Sequence, residues 1–310
     1  MDEKIIVSVK CWVYNHEKYL RDCLEGFVRQ KTNFRYEVVV HDDASTDGSV
    51  EIIKEYTAKY PNIIKSILQK ENQYSKPGYG SMDRDMNAQL KGKYIAICEG
   101  DDYWVDPYKL QKQVDMLEAD AQCSMCCSDA VIISNTGISH LGCQCEDSRY
   151  LTLDEIVIGG GLYIPTASLV FRKEIVFDED YVKCTGNCHV GDYPLQIFAA
   201  IKGKVYRFAE KQVAYRFEMG NSWTKMLSRQ AIEKKISGWR SEFDMLDRMD
   251  AYSNFRNTRA FRKRKYKFHY SILKSHKKNF KQIYSTFKDI NKVYPLHRRI
   301  KLFMLRLQSV

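Results

Sequence analysis

The sequence predicts an α/β fold, a mostly parallel sheet flanked by helices and followed by a helical basic extension. Three observations lead there. Short β-branched runs alternate with segments of helical period in the first part of the chain, two of those runs empty into acid-rich turns, and the charge changes sign near residue 224.

Residues 5–13 (IIVSVKCWV) read as the first strand, and Tyr14 and Asn15 make a turn. Tyr19, Leu20, Cys23, Leu24, Phe27 and Val28 then recur at helical spacing, so a helix follows with one apolar face on the sheet. A second strand over 36–40 ends in HDDASTDGS. A helix over 49–60 turns Ile52, Ile53 and Tyr56 inward, and a third strand covers 63–68. Strand, helix, strand, helix, strand is a parallel, doubly wound pattern with right-handed crossovers. A loop over 71–81 leads to a short helix ending near Gly92. Residues 94–98 form a buried strand that runs into Glu99, Asp101 and Asp102, and Pro107 opens a helix carrying Leu110, Val114 and Leu117, with Asp106 as its expected cap. Beyond that point 123–133 reads as a hairpin or paired strands, and 162–174 as a strand-like run after Gly159, Gly160 and Gly161. A helix covers 192–201, and 205–208 with 213–217 make two short strands.

The chain has 310 residues, enough for a substantial core. Residues 1–224 carry 26 Lys and Arg against 33 Asp and Glu, while 225–310 carry 23 against 6. The basic character therefore belongs to the tail, and a boundary near Gly220 divides a body, 1–224, from a basic helical extension, 225–310. No run is long enough for a membrane span, and the first strand begins without a signal-like apolar segment, so a cytoplasmic location is expected. The ten cysteines then read as free thiols. Cys123, Cys126 and Cys127, Cys143 and Cys145, and Cys184, Cys188 and His189 are spaced more loosely than zinc sites usually are.

Both acidic turns, His41 to Gly48 and Glu99 to Asp102, lie at carboxyl ends of strands, where open α/β sheets bind ligands, so they should converge. Crowded carboxylates repel unless a cation sits between them, which makes Glu99, Asp101 and Asp102 candidate ligands of a divalent cation. Asp43 is a candidate for nucleobase or ribose contact, and Asp47 is read as a helix cap. Neither G-x-G-x-x-G nor G-x-x-x-x-G-K-[ST] occurs. A nucleotide here would need its phosphates neutralised without those backbone cradles, and a cation on Asp101 could do so.

The order VSVKCWVYN, VVVHDDASTDGS, GKYIAICEGDDYWVDPYKLQKQV resembles the inverting family-2 glycosyltransferases of the GT-A fold, a Rossmann-like architecture. The resemblance implies transfer of a sugar from a nucleotide-sugar donor, a UDP-sugar, to a glycan hydroxyl with inversion. It places Tyr14 and Asp43 on the base and ribose and maps the family's metal motif onto Glu99, Gly100 and Asp101, with Glu99 departing from the commoner Asp. It also places the general base at a helix start, where Asp192 stands, although Asp192 followed by Pro194 equally suits a cap. On the acceptor side it suggests Thr166, Ser168, Arg172 and Trp223; the two hydroxyls could instead be ordinary strand residues, and Trp223 a packed junction residue. Arg216 with Asn221, Ser222 and Trp223 reads as a loop able to close over the donor, and Lys76 and Arg84 as candidates for uracil or phosphate contact.

In the tail, Arg259, Arg262, Lys263, Arg264, Lys265 and Lys267 interleave with Tyr266, Phe268 and Tyr270, and LHRRIKLFMLRLQ mixes basic with apolar positions. Residues 256–310 therefore suit either contact with the inner face of an anionic membrane, where a lipid-linked acceptor would lie, or packing on the body. Nucleic acid is not the expected partner, since no module signature for it is present. A non-catalytic nucleotide- or glycan-binding module on the same fold is the alternative to an enzyme.

Overall fold

The computed structural model describes residues 4–74, 80–134, 146–217, 229–292 and 294–307. Its first half alternates as β1 (Ile5–Val13), α1 (Glu17–Val28), β2 (Arg35–Asp42), α2 (Ser49–Lys59), β3 (Ile64–Leu68), α3 (Gly80–Gln89) and β4 (Tyr94–Ile97). These four strands lie parallel in the order β3-β2-β1-β4. Strand period decides the layers: Val7, Val9, Cys11 and Val13 of β1 face one core, which α1 closes with Leu20, Cys23, Leu24 and Phe27. Gly26 lets α1 approach closely, because a Cβ there would stand 2.9 Å from the Trp104 backbone nitrogen.

The second half contains β5 (Tyr103–Trp104), α4 (Lys109–Ala119), β6 (Cys123–Ser134), β7 (Arg149–Leu151), α5 (Leu153–Gly159), β8 (Val170–Arg172), α6 (Glu174–Phe177), α7 (Glu179–Thr185), α8 (Asp192–Lys202) and β9 (Lys204–Phe217). Here the sheet is mixed: β8 runs antiparallel to β4 and β6, β6 pairs parallel with β9, and β5 and β7 join β9 antiparallel.

Several expected elements differ. Residues 123–133 form one strand rather than a hairpin, since CSMCCSDAVIIS holds neither glycine nor proline and pairs along its length with β9, which absorbs the Ser128–Asp129 step as a register shift. The two short strands expected within 205–217 are likewise one, because a bulge between the Phe208–Ser128 and Lys211–Asp129 pairs absorbs Ala209 and Glu210. The strand-like run at 162–174 is broken after Pro165 by a single 3₁₀ turn, Thr166–Ser168, closed by Ser168 Oγ donating to the Pro165 carbonyl at 2.7 Å. Asp106 accepts from the Tyr108 backbone N–H at 2.8 Å and thus braces the turn before α4 rather than occupying its cap.

Lys109, the first residue of α4, is wholly buried, with its ammonium 4.5 Å from the centre of the Trp104 ring. Its Nζ has no hydrogen-bond partner among the described residues, and burial pulls its pKa down to about 7.

The tail forms α9 (Ile232–Tyr252), α10 (Thr258–Ser275), α11 (Phe280–Thr286), α12 (Lys288–Lys292) and α13 (Leu296–Leu307). Met245, Leu246 and Met249 of α9 with Ala260 and Phe261 of α10 complete the core on the α5 and α8 side of the sheet. A separate cluster of Phe243, Ile272, Leu273, Phe280, Ile283, Phe287, Leu302 and Leu305 joins the tail helices to one another. The eight described cysteines are free thiols, and Cys143 and Cys145 lie outside the described residues. No described helix is long and apolar enough to cross a membrane.

Candidate functional site

β1 brings the two acidic turns together. The Asp43 N–H donates to the Val13 carbonyl at 2.9 Å on one side of the strand, and the Gly100 N–H donates to the Trp12 carbonyl at 2.9 Å on the other. The sheet order β2-β1-β4 thus sets both turns at one strand end.

The turn after β1 is stitched to the turn after β2. Asn15 N–H donates to Ser45 Oγ at 2.9 Å, His16 N–H to Ser49 Oγ at 3.0 Å and Glu17 N–H to Asp47 Oδ2 at 3.0 Å, while Asn15 Oδ1 accepts from the Thr46 N–H at 2.7 Å. Asn15 and Ala44 both take positive φ, 57° and 60°, so each turn holds a residue in the left-handed region at the point where it bends. Asp47 serves two helices, since its other oxygen accepts from the Ser49 N–H at 3.0 Å. Asp43 is buried, accepting from the Gln73 N–H at 2.6 Å and the Tyr74 N–H at 3.1 Å; it pins the segment after β3 beside the turn and keeps acceptor capacity to spare. Tyr14 stands at the lip of this corner, 39% exposed.

The opposite corner is electrostatically unfinished. Glu99 is pushed up to about 8, first by burial and then by the charges of Asp101 and Asp192. Gly100 separates the two acids because a Cβ there would stand 2.8 Å from His16 Nδ1 and 3.0 Å from Val13 Cγ2. No hydrogen bond or ion pair to the carboxylate of Asp101 occurs among the described residues, and Glu99 has no side-chain partner there. A like-charged pair of this kind fits a hard cation, and an ion that takes one or two protein carboxylates and completes its shell from phosphate and water suits it. Among the described residues no three His, Cys, Asp or Glu side chains are arranged to hold an ion by themselves.

Asp102, the third acid expected on the metal, has one carboxylate oxygen taken up by the framework. It is buried, and its Oδ1 accepts from the Arg216 N–H at 2.8 Å. Arg216 also moves: instead of riding a loop it lies in β9, its guanidinium donating to the Asp101 carbonyl at 2.7 Å and to Asp22 Oδ2 at 2.5 Å between the Tyr19 and Tyr103 rings. The clamp fixes the backbone of the acidic turn and leaves the Asp101 side chain out of the pairing.

Asp192 is the first residue of α8, partly buried. Thr166 Oγ1 donates to its Oδ2 at 2.9 Å and the Tyr193 N–H to its Oδ1 at 2.7 Å. Burial raises its pKa, and these hydrogen bonds hold the rise back. Its charge adds to the rise of the Glu99 pKa, so the two carboxylates lie within electrostatic reach of each other. Tyr215 of β9 lies within electrostatic reach of the same acids: besides burial, the charges of Asp102, Glu99, Asp101 and Asp192 all raise its pKa and keep its phenol a hydrogen-bond donor. Sequence reading missed Tyr215, whose only sequence signal is its position next to Arg216.

The α8 start is backed by the tail. Arg264 of α10 donates to Glu242 of α9 at 2.8 Å, the side chains being 15% and 7% exposed. The guanidinium lies 5.2 Å from the Tyr193 ring centre, and a Cβ at Gly160, where φ is +81°, would stand 2.3 Å from it. Burial raises the pKa of Glu242, and the charge of Asp192 adds to the rise.

Two acceptor-side expectations are corrected. Ser168 is fully buried and donates within its own turn. Arg172 pairs with Tyr94 at the start of β4, the end away from the acidic turn, and its guanidinium donates to the carbonyls of Leu117 at 2.6 Å and Cys123 at 2.8 Å, closing the end of α4. Thr166 remains, through Asp192. Lys76, Asn221, Ser222 and Trp223 lie outside the described residues, as does the side chain of Arg84 on α3.

Comparison with known proteins bears on this arrangement. A family model described as glycosyl transferase family 2 matches residues 8–176. The uncharacterized protein Rv1520 of Mycobacterium tuberculosis is 33% identical over 226 residues, 70% of this chain and 60% of its own length. The chain therefore spans about three fifths of that curated relative. Among solved structures, S. aureus TarS 1–349 in complex with UDP-GlcNAc superposes with a TM-score of 0.71 at 16% identity, over 98% of this chain and 88% of that one. A mannosyltransferase from Pyrobaculum calidifontis in complex with GDP-Man and Mn²⁺ gives 0.50 at 13% identity, over 99% and 81%. At such identities the two structures show a shared fold.

Proposed function

This chain belongs to glycosyl transferase family 2, and from that premise we propose that it moves a sugar from a UDP-sugar to a hydroxyl of a glycan acceptor, inverting the anomeric carbon. The observation that supports the reading is that two acidic turns meet at one strand end, the stitched corner of Tyr14 and Asp43 and the acids Glu99 and Asp101, which have no side-chain partner among the described residues, with Asp192 in electrostatic reach of Glu99. The UDP-GlcNAc complex of the TarS structure supports a uridine donor.

In this reading Tyr14 and Asp43 hold the base and ribose. Glu99 and Asp101 would hold Mn²⁺ or Mg²⁺, whose chemistry is to offset negative charge on a departing diphosphate. Asp192 Oδ2 takes the proton of the acceptor hydroxyl as its oxygen bonds to the anomeric carbon and the bond to the nucleoside diphosphate breaks. Thr166 orients that carboxylate, and its burial makes it a stronger base than an exposed aspartate. Tyr215 donates a hydrogen bond into the same space. Arg216 acts at one remove, by fixing the backbone of the turn that presents Asp101.

The test is transfer and donor hydrolysis across a panel of UDP-sugars with Mn²⁺ or Mg²⁺. Asp192→Ala should lose about 10²- to 10⁴-fold in turnover while still binding donor, and Asp101→Ala should lose metal-dependent donor binding as well. Metal-dependent nucleotide binding by the wild type with no turnover on any donor would turn the reading to a binding module.

A further inference from the structure

The last helix, α13, presents apolar side chains on two sides. Leu302 and Leu305 are buried in the tail cluster, whereas Leu296, Ile300 and Met304 are 70%, 53% and 53% exposed. At 3.6 residues per turn, positions four apart advance by about 40°, so the exposed three form a stripe spanning about 80°. The buried pair lies roughly opposite it, about 170° away. An ordinary surface helix would carry polar residues where this stripe is. Basic residues border it: His297 and Lys301 along one side and Arg299 along the other, all exposed, and LHRRIKLFMLRL contains no acid. This helix ends a segment, 225–310, that carries 23 Lys and Arg against 6 Asp and Glu.

We propose that the outward face of α13 is a docking surface for an anionic lipid bilayer. Leu296, Ile300 and Met304 enter the boundary between headgroups and acyl chains, and Arg299 and Lys301 meet the lipid phosphates on either side. The charge pattern selects this occupant. A second copy of the chain laid stripe to stripe would set Arg299 and Lys301 against like charges, whereas an anionic bilayer offers an apolar layer beneath a negative one. The proposal does not depend on the transfer reaction, because no residue of α13 belongs to the site.

The experiment is co-sedimentation of the full chain with vesicles of phosphatidylcholine alone and of equal parts phosphatidylcholine and phosphatidylglycerol. Binding should require phosphatidylglycerol and fall as salt rises. The triple change Leu296→Ser, Ile300→Ser, Met304→Ser should weaken it by about tenfold or more while leaving the thermal melt near that of the wild type, since the three side chains make no core. Arg299→Glu, which leaves the stripe intact, should also weaken binding, so a folding defect in the triple variant would not decide the matter. Undiminished binding of a folded triple variant, equal binding to both vesicle types, or stripe-dependent dimers in lipid-free solution would each overturn the proposal. So would failure of the wild type to sediment, which would point instead to an acidic protein partner.

Discussion

Removing one half of the Arg264–Glu242 pair tests whether the tail is built into the body. Arg264→Met keeps most of the aliphatic stem and deletes the cation, leaving Glu242, 7% exposed, without its partner. Breaking a buried pair from one side costs about 3–5 kcal/mol. With an unfolding entropy of about 2.1 cal/mol/K per residue, a chain of 310 residues loses roughly 1.5 °C of Tm per kcal/mol, so the melt should fall by about 5–8 °C. The double change Arg264→Met, Glu242→Leu should recover most of that loss, because no buried charge is then left alone. The deficit should also depend on pH. Burial already raises the pKa of Glu242, and without Arg264 it rises further. Between the ordinary glutamate value and that raised one, the folded variant keeps a proton that the unfolded chain releases, so its stability falls as pH rises and the deficit is smaller near pH 5 than near pH 8. Circular-dichroism melts of the wild type, the single variant and the double variant decide it. A single variant within about 2 °C of wild type, or a double variant no better than the single, would refute the reasoning.

Lys109→Met should raise Tm at neutral pH by removing a buried amine whose pKa lies near 7. In the wild type the unfolded chain holds a proton there that the folded chain lacks, so stability should climb between about pH 7 and pH 10 and the variant should flatten that slope; pH-dependent melts check both. Gly100→Ala drives a Cβ against the His16 ring and should cost about 1–3 kcal/mol and weaken nucleotide-dependent thermal stabilisation. For Asp192, active as the carboxylate, the acid limb of kcat/KM should lie above the usual aspartate range. Thr166→Val removes a hydrogen bond that lowers that pKa and should move the limb higher still; an unmoved limb would count against Asp192 as the base.

The parallel half of the fold could be read because its signals are local. Val7, Val9, Cys11 and Val13 repeat at the strand period, Leu20, Cys23, Leu24 and Phe27 at the helical one, and each run ends where its acids begin. The second half resisted because its order is set at long range. Whether 123–134 turns back on itself depends on β9, some eighty residues later, and the charged Glu210–Lys211 step looks like a turn until the bulge is seen. Among the candidate site residues, Asp43, Asp101 and Asp192 draw attention by position at strand or helix ends. Arg172 misleads because an arginine near a candidate site looks functional until its partner, the end of α4, is known. Tyr215 and the Arg264–Glu242 pair could not be found from spacing, since each is defined by what it meets across the chain.

The hydrogen bonds that join Asn15, His16 and Glu17 to the segment after β2 divide the labour of capture unevenly. One of the two corners is already ordered by these bonds, so under the proposed function a nucleoside would meet a surface that has little ordering left to do. The facing wall repels itself until positive charge reaches it. Recognition of the nucleoside should therefore change little with the ionic conditions, whereas retention of the diphosphate should follow the supply of divalent cation, and a nucleoside lacking phosphates should bind almost equally well with or without it.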